Sequence, residues 1–186
     1  MSALKLTKSR RLLLLVIGVF VLPVVLAKLA LNEQWFDYGV TNQGELVGNE
    51  LTLTDLGLKP EQFNQQWLML VNLPEKCDDF CQKTLLIINN AYTLLGKEIP
   101  RVTPVALIEN NQADITYQAM HHKKWQAYAL PEEAKKVLDH QQLLIVDPLS
   151  NIVLSYPLPT EEAEVNKLGK AVIADMKKLL KYSRIG

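Results

Sequence analysis

WLMLVNLPEKCDDFCQKTLLIINNAYTLLGKE, residues 67–98, changes its hydrophobic period partway along. Trp67 to Pro74 is a continuous apolar run closed by proline. A run of that length bounded by turn residues suits a strand buried on both faces. Beyond it, Leu85, Ile88, Tyr92 and Leu95 recur at helical spacing, and Gly96 stands where a C-cap glycine is expected. Between the two patterns lies CDDFC, residues 77–81, which holds both cysteines of the chain. The unit therefore reads strand, short loop, cysteines, helix.

Working downstream, IPRVTPVALIE reads as the next strand, with Pro104 placing it near an edge or a bulge. The stretch from Ile115 to Leu130 fits neither period. LPEEAKKVL starts a short helix with proline in its first turn. HQQLLIVDPLSNIVLSYP reads as a hairpin, with strands Leu143–Val146 and Ile152–Tyr156 around the turn DPLSN. A long amphipathic helix from about Thr160 to Tyr182 follows. Its glutamates favour the positive N-terminus, and Lys177, Lys178 and Lys181 suit the other end. Upstream, ELVGNELTLTDLGL alternates around Gly48-Asn49 and reads as a short hairpin or two short strands. The order β-α-β-α-β-β-α around one sheet is an α/β, thioredoxin-like arrangement, in which the first strand delivers a cysteine motif to a helix N-terminus.

The N-terminus sets the compartment. Lys5, Lys8, Arg10 and Arg11 precede LLLLVIGVFVLPVVLA, Leu12 to Ala27. With Lys28, whose stem snorkels, and Leu29 to Leu31, the run reaches about the 20 residues that cross a ~30 Å hydrocarbon core. The basic cluster keeps the N-terminal end cytoplasmic. A cleaved signal peptide is the rival reading, but no clean small-x-small site follows, and Trp35, Phe36 and Tyr38 resemble an interfacial belt. The expected organisation is a cytoplasmic N-terminus (1–11), a transmembrane anchor (12–31), a juxtamembrane linker (32–44) and a thioredoxin-like domain (45–186). In a bacterial host this is a single-pass inner-membrane protein whose C-terminal domain faces the periplasm, where disulfides persist.

Twenty lysines and arginines balance twenty aspartates and glutamates, and no basic stripe is present, so nucleic acid is not an expected partner. No serine-histidine-aspartate order, glycine-rich phosphate loop or convincing carboxylate pair supports a hydrolase or nucleotide reading.

The chemistry therefore concentrates on Cys77 and Cys81. A four-residue step across a loop and first helical turn brings both sulfurs to one side, with Cα atoms about 6 Å apart, which a disulfide bridges. A helix N-terminus favours thiolate, which raises nucleophilicity and metal affinity, while Asp78 and Asp79 oppose it. Those two aspartates otherwise read as solvated loop charges. Two thiolates suit Cu(I), and an added imidazole also makes a site for Cu(II). Zinc in a structural site needs four ligands, and no closed set is evident. Of the histidines, His121 and His122 lie in the polar stretch MHHKKW, beside Met120. His140 follows Asp139 directly before a strand, and in a thioredoxin-like fold that loop lies against the cysteine loop. His140 is thus the best placed third ligand, with His121 and His122 as alternatives. The simpler alternative is a structural disulfide with surface histidines. However, a bridge over so short a loop gains little chain entropy, which is poor use of a staple.

C-D-D-F-C at the end of a buried strand, followed by D-H before a strand-turn-strand, resembles the Sco/SenC family of membrane-anchored, thioredoxin-like copper chaperones. Cys77, Cys81 and His140 match that family's two cysteines and distant histidine. The chain also looks like a smaller group of anchored proteins encoded beside cytochrome oxidase genes, through Trp67, Leu73-Pro74, Asp147-Pro148-Leu149, Asn151 and the C-terminal LLKYSRIG. The resemblance implies a metallochaperone for cytochrome c oxidase assembly, with copper held by Cys77, Cys81 and His140. An oxidase subunit or other assembly factors would be the partners. It leaves two alternatives: a thiol-disulfide oxidoreductase acting through Cys77 and Cys81, and an assembly scaffold with a structural disulfide.

Overall fold

The computed structural model describes residues 8–32, 42–48, 51–74, 76–109, 124–138 and 140–185. The chain divides into two compact units, Met1–Thr41 and Asn42–Gly186. In the first, helix α1 spans Lys8–Asn32 with Pro23 inside it. Its segment Arg10–Leu29, 20 residues, is long and apolar enough to cross a bilayer. The expected Trp35, Phe36 and Tyr38 belt lies outside the described residues.

The second unit is built on a six-stranded sheet, in the order β1-β6-β5-β2-β3-β4. The strands are β1 (Glu45–Leu46), β2 (Trp67–Asn72), β3 (Val102–Ile108), β4 (Gln126–Ala129), β5 (Gln142–Val146) and β6 (Ile152–Pro157). The helices are α2 (Asp79–Thr93), α3 (Glu132–Val137) and α4 (Glu162–Tyr182). β2 runs parallel to β3 and antiparallel to β5, so the strand that leads to the cysteines is an inner one.

Alternation along the strands builds two cores. Trp67, Met69 and Val71 of β2, with Leu143 and Ile145 of β5, meet Leu85, Ile88 and Tyr92 of α2 and Leu168, Val172 and Met176 of α4. Leu68 and Leu70, with Leu144 and Val146, point to the opposite face, against Leu53, Leu56, Phe63, Ala134 and Leu138. A strand buried on both faces must be apolar at every position, which is why residues 67–71 show no alternation.

Some expectations change. Of the two readings of ELVGNELTLTDLGL, a hairpin or two short strands, the described residues show no hairpin: β1 pairs with β6, and Thr52 forms a bridge with Asn151. The ambiguous stretch contains β4, a short, mostly exposed edge strand, while residues 110–123, with Met120, His121 and His122, lie outside the described residues. β3 is an inner strand. Its pairing with β4 begins only at Val105, so Pro104, which has no N–H to donate, sits where β3 has a neighbour on one side. Gly96 is not the cap itself: α2 ends at Thr93, Leu94 caps it, and Gly96 follows at φ +59 in the chain reversal.

α2 and α4 approach closely at Gly169. A Cβ there would lie 2.6 Å from Ile87 Cγ2. Isoleucine in a helix is stiff at χ1, so it cannot swing aside easily. Gly169→Ala is expected to destabilise the domain by about 1–3 kcal/mol, as overpacking does. Thermal unfolding should show most of that loss recovered when Ile87→Ala is added.

Candidate functional site

β2 ends at Asn72, and the chain passes through Leu73 and Pro74 to reach the cysteines. Asp78, extended at φ −73 and ψ −177, is the N-cap of α2, and its Oδ1 accepts from the Cys81 N–H at 2.8 Å. Asp79 occupies the first turn, where negative charge complements the helix dipole. The reading of Asp78 as a free loop charge is thereby corrected. It is exposed, but it is fixed by one of the helix's otherwise unpartnered amides. Cys77 immediately precedes the cap and Cys81 lies in the first turn. They are joined by a disulfide, with Cα atoms 5.2 Å apart, and both are half-buried against the core beneath α2.

Electrostatically the cap opposes the helix terminus. The Asp78 carboxylate takes up an amide that would otherwise help stabilise a thiolate, and it adds a like charge beside Cys77. Asp78→Asn is therefore expected to raise the reduction potential of the pair, because lower thiol pKa values stabilise the reduced form. Equilibration with glutathione checks this, and an unchanged or lowered potential would count against it.

His140 lies in the bend before β5 and is exposed. Its carbonyl accepts from Asn72 Nδ2 at 3.0 Å, and the Gln142 N–H donates to Asn72 Oδ1 at 2.6 Å. The His140 loop and the cysteine loop therefore leave the same rim of the sheet. Among the described residues, no three His, Cys, Asp or Glu side chains are gathered as a metal site. The structure thus joins the two cysteines and brings the His140 backbone to their rim, but it does not bring the three side chains together. Asp139, which precedes His140, lies outside the described residues.

The chain enters this unit on that rim too. Asp175 of α4 is 2 % exposed, and its Oδ2 accepts from Gln43 N–H (2.7 Å), Gly44 N–H (2.9 Å) and the Tyr156 hydroxyl (2.7 Å). Gly44 is packed so closely that a Cβ would lie 2.5 Å from the Tyr156 ring. Burial, then the hydrogen bond and charge of Asp175, push the Tyr156 hydroxyl well above its ordinary pKa near 10. The raised folded-state pKa means that unfolded chains lose this proton first. Stability from Tyr156 is thus complete below about pH 10 and falls as pH rises above it. Tyr156→Phe should have a flatter alkaline stability profile, read by denaturant unfolding between about pH 9 and pH 11.

At the far end of α4, the Arg101 guanidinium donates to the carbonyls of Leu180, Ser183 and Ile185 and pairs with Glu98. This gives the C-terminal LLKYSRI a structural role, because the arginine satisfies one carbonyl of the last helical turn, that of the cap and one beyond it. Asn72, Asp175 and Arg101 were not singled out from the sequence. Asp175 left a signal: it stands three residues after Val172 and seven after Leu168, on the apolar stripe of α4.

A central strand leading to a paired thiol at a helix N-terminus, with two further antiparallel strands and helices on both faces, defines a thioredoxin-like domain. The chain belongs to the family described as transmembrane-like, thioredoxin-like, C-terminal domain, which matches residues 67–183. No curated protein matches the chain. Among solved structures, it is similar to apo Sco1 from Thermus thermophilus (19 % identity, TM-score 0.50), covering 64 % of this chain and 82 % of that one. Yeast Sco1 with copper bound is 13 % identical at TM-score 0.52, covering 68 % and 85 %. The Xanthomonas campestris bacterioferritin comigratory protein, described with alkyl peroxide reduction activity, is 12 % identical at TM-score 0.54, covering 73 % and 99 %. At these identities the likeness is one of fold, shared by copper-binding and thiol-redox proteins alike.

Proposed function

We propose that this is a membrane-anchored assembly factor for cytochrome c oxidase in a bacterial inner membrane. Its N-terminus is cytoplasmic, its thioredoxin-like domain faces the periplasm, and it carries copper as cargo on Cys77, Cys81 and His140. The observation that carries the reading is the half-buried thiol pair at the N-terminus of α2, on the rim that also holds the His140 loop. The donor set fits the ion: two sulfurs and an imidazole suit Cu(I), and the same set accepts Cu(II). The motifs shared with the Sco/SenC family support it. So does the copper-bound yeast Sco1 among similar folds, as a likeness of fold alone.

A protein dithiol first reduces the Cys77–Cys81 disulfide by thiol-disulfide exchange. That dithiol becomes a disulfide, and two electrons and two protons pass to the pair. Cu(I) then displaces the thiol protons. Transfer to the target proceeds by exchange of one sulfur ligand at a time, and the anchor holds donor and target at high effective concentration.

The disulfide itself favours a second reading. The reduced pair attacks a disulfide in the oxidase copper site, one sulfur forms a mixed disulfide, and the other resolves it. The target is released as a dithiol and Cys77–Cys81 is re-formed. Metal analysis of the full chain in detergent, with both thiols verified as reduced, separates the two. The cargo reading expects about one copper per chain, with weaker retention in His140→Ala. Absence of copper from the reduced parent, together with a reduction potential close to that of periplasmic dithiols, would support the second reading.

A further inference from the structure

The end of β2 has a feature that neither the family nor the thiol pair explains. β2 and β5 pair through Val71 and Leu143. Beyond that pair the chain stays with β3: Asn72 is paired with Leu107, and the Leu73 N–H donates to the Leu107 carbonyl at 2.9 Å. The gap that opens towards β5 is bridged by the Asn72 side chain. Its Oδ1 accepts from Gln142 N–H, and its Nδ2 donates to the His140 carbonyl. Between those two residues, the Gln141 carbonyl accepts from Leu158 N–H at 3.0 Å, so segment 140–142 is held from both sides. Asn72 is only 7 % exposed. An apolar side chain of its size would fill the space but leave a donor and an acceptor of the loop unpartnered. Asparagine supplies both an acceptor and a donor from one planar group.

We propose that Asn72 is a positioning residue for His140. It stands at the fork where the chain leaves for Cys77, and its amide fixes the His140 backbone relative to that departure. Reduction of the disulfide is thereby felt at the imidazole. The inference rests on the reading of Cys77, Cys81 and His140 as one site. A side chain that merely closed the end of the sheet would affect stability without coupling the two loops.

The test uses the full chain in detergent micelles with isotope-labelled histidines, of which there are three. The His140 ring signal is assigned by its loss in His140→Ala. At one fixed pH, the ring signal of the parent is expected to shift when Cys77–Cys81 is reduced. Asn72→Asp keeps an acceptor for Gln142 N–H but replaces the donor to His140 with a second acceptor. With the fold intact, its His140 response is expected to fall to about half or less, because a site loosened by about an ångström loses its coupling. An undiminished response in the variant, or no response in the parent, would overturn the proposal. Should Asn72→Asp fail to fold, Asn72→Ser is read in the same way. The readout needs no metal, so a parent that binds no copper removes the cargo reading and leaves this test standing.

Discussion

Replacing Cys77 and Cys81 together by serine is expected to reduce retained Cu(I) from about one ion per chain to background, because hydroxyl oxygen is a hard, protonated donor where a soft thiolate is needed. Oxidase assembly in cells carrying the double variant should fail with it. The effect is separable from unfolding. The disulfide closes a loop only four residues apart in sequence, so chain-entropy bookkeeping gives it roughly 2 kcal/mol of stabilisation. Domains of this size have about 5–15 kcal/mol to lose. The variant should therefore keep its secondary structure and most of its melting temperature. If the bridge is only structural, the opposite pattern appears, with lower stability but oxidase assembly intact. Metal analysis, thermal unfolding and oxidase activity in the same strains distinguish the outcomes.

Asp175→Ala is expected to be strongly destabilising. One carboxylate oxygen accepts from two backbone amides and a buried phenol, and removing it leaves all three unpartnered. At about 1–3 kcal/mol for each buried group, with water able to reach Gln43, the loss is about 4 kcal/mol, or a melting temperature lower by about 10 °C. Asp175→Asn keeps an oxygen in place and should cost only about 1–2 kcal/mol. Because Gly44 N–H and Tyr156 are both held by this group, the alanine variant should also become sensitive to proteolysis around residues 43–46. A melting temperature within a degree or two of the parent would show that Asp175 is not what fastens this segment.

The thioredoxin-like fold was legible because its central elements announce themselves. Residues 67–71 are apolar without interruption, as a strand covered on both faces must be, and Leu85, Ile88 and Tyr92 repeat at the helical period. The hairpin of β5 and β6 was legible from DPLSN, whose aspartate accepts from the Leu149 and Asn151 amides in the turn. β4 was not legible. As a four-residue edge strand reading QAYA, it has one covered neighbour and little apolar pattern. The thiol pair could be read from spacing alone, since four residues across a helix start fix the separation of the sulfurs. Asn72 could not be, because it ends an apolar strand and its meaning lies in partners 68 and 70 positions away. Asp78 was misread because its sequence signal as a helix cap is the same as that of a solvated loop charge until the Cys81 amide is seen to donate to it.

X-ray absorption of the full chain loaded with Cu(I), with free thiols counted before loading, reads the proposed ligand set itself. The copper is expected to be bound directly to two sulfurs and one nitrogen, with the nitrogen lost in His140→Ala. A reduced protein that retains no copper, or holds it in a shell without sulfur, would contradict it.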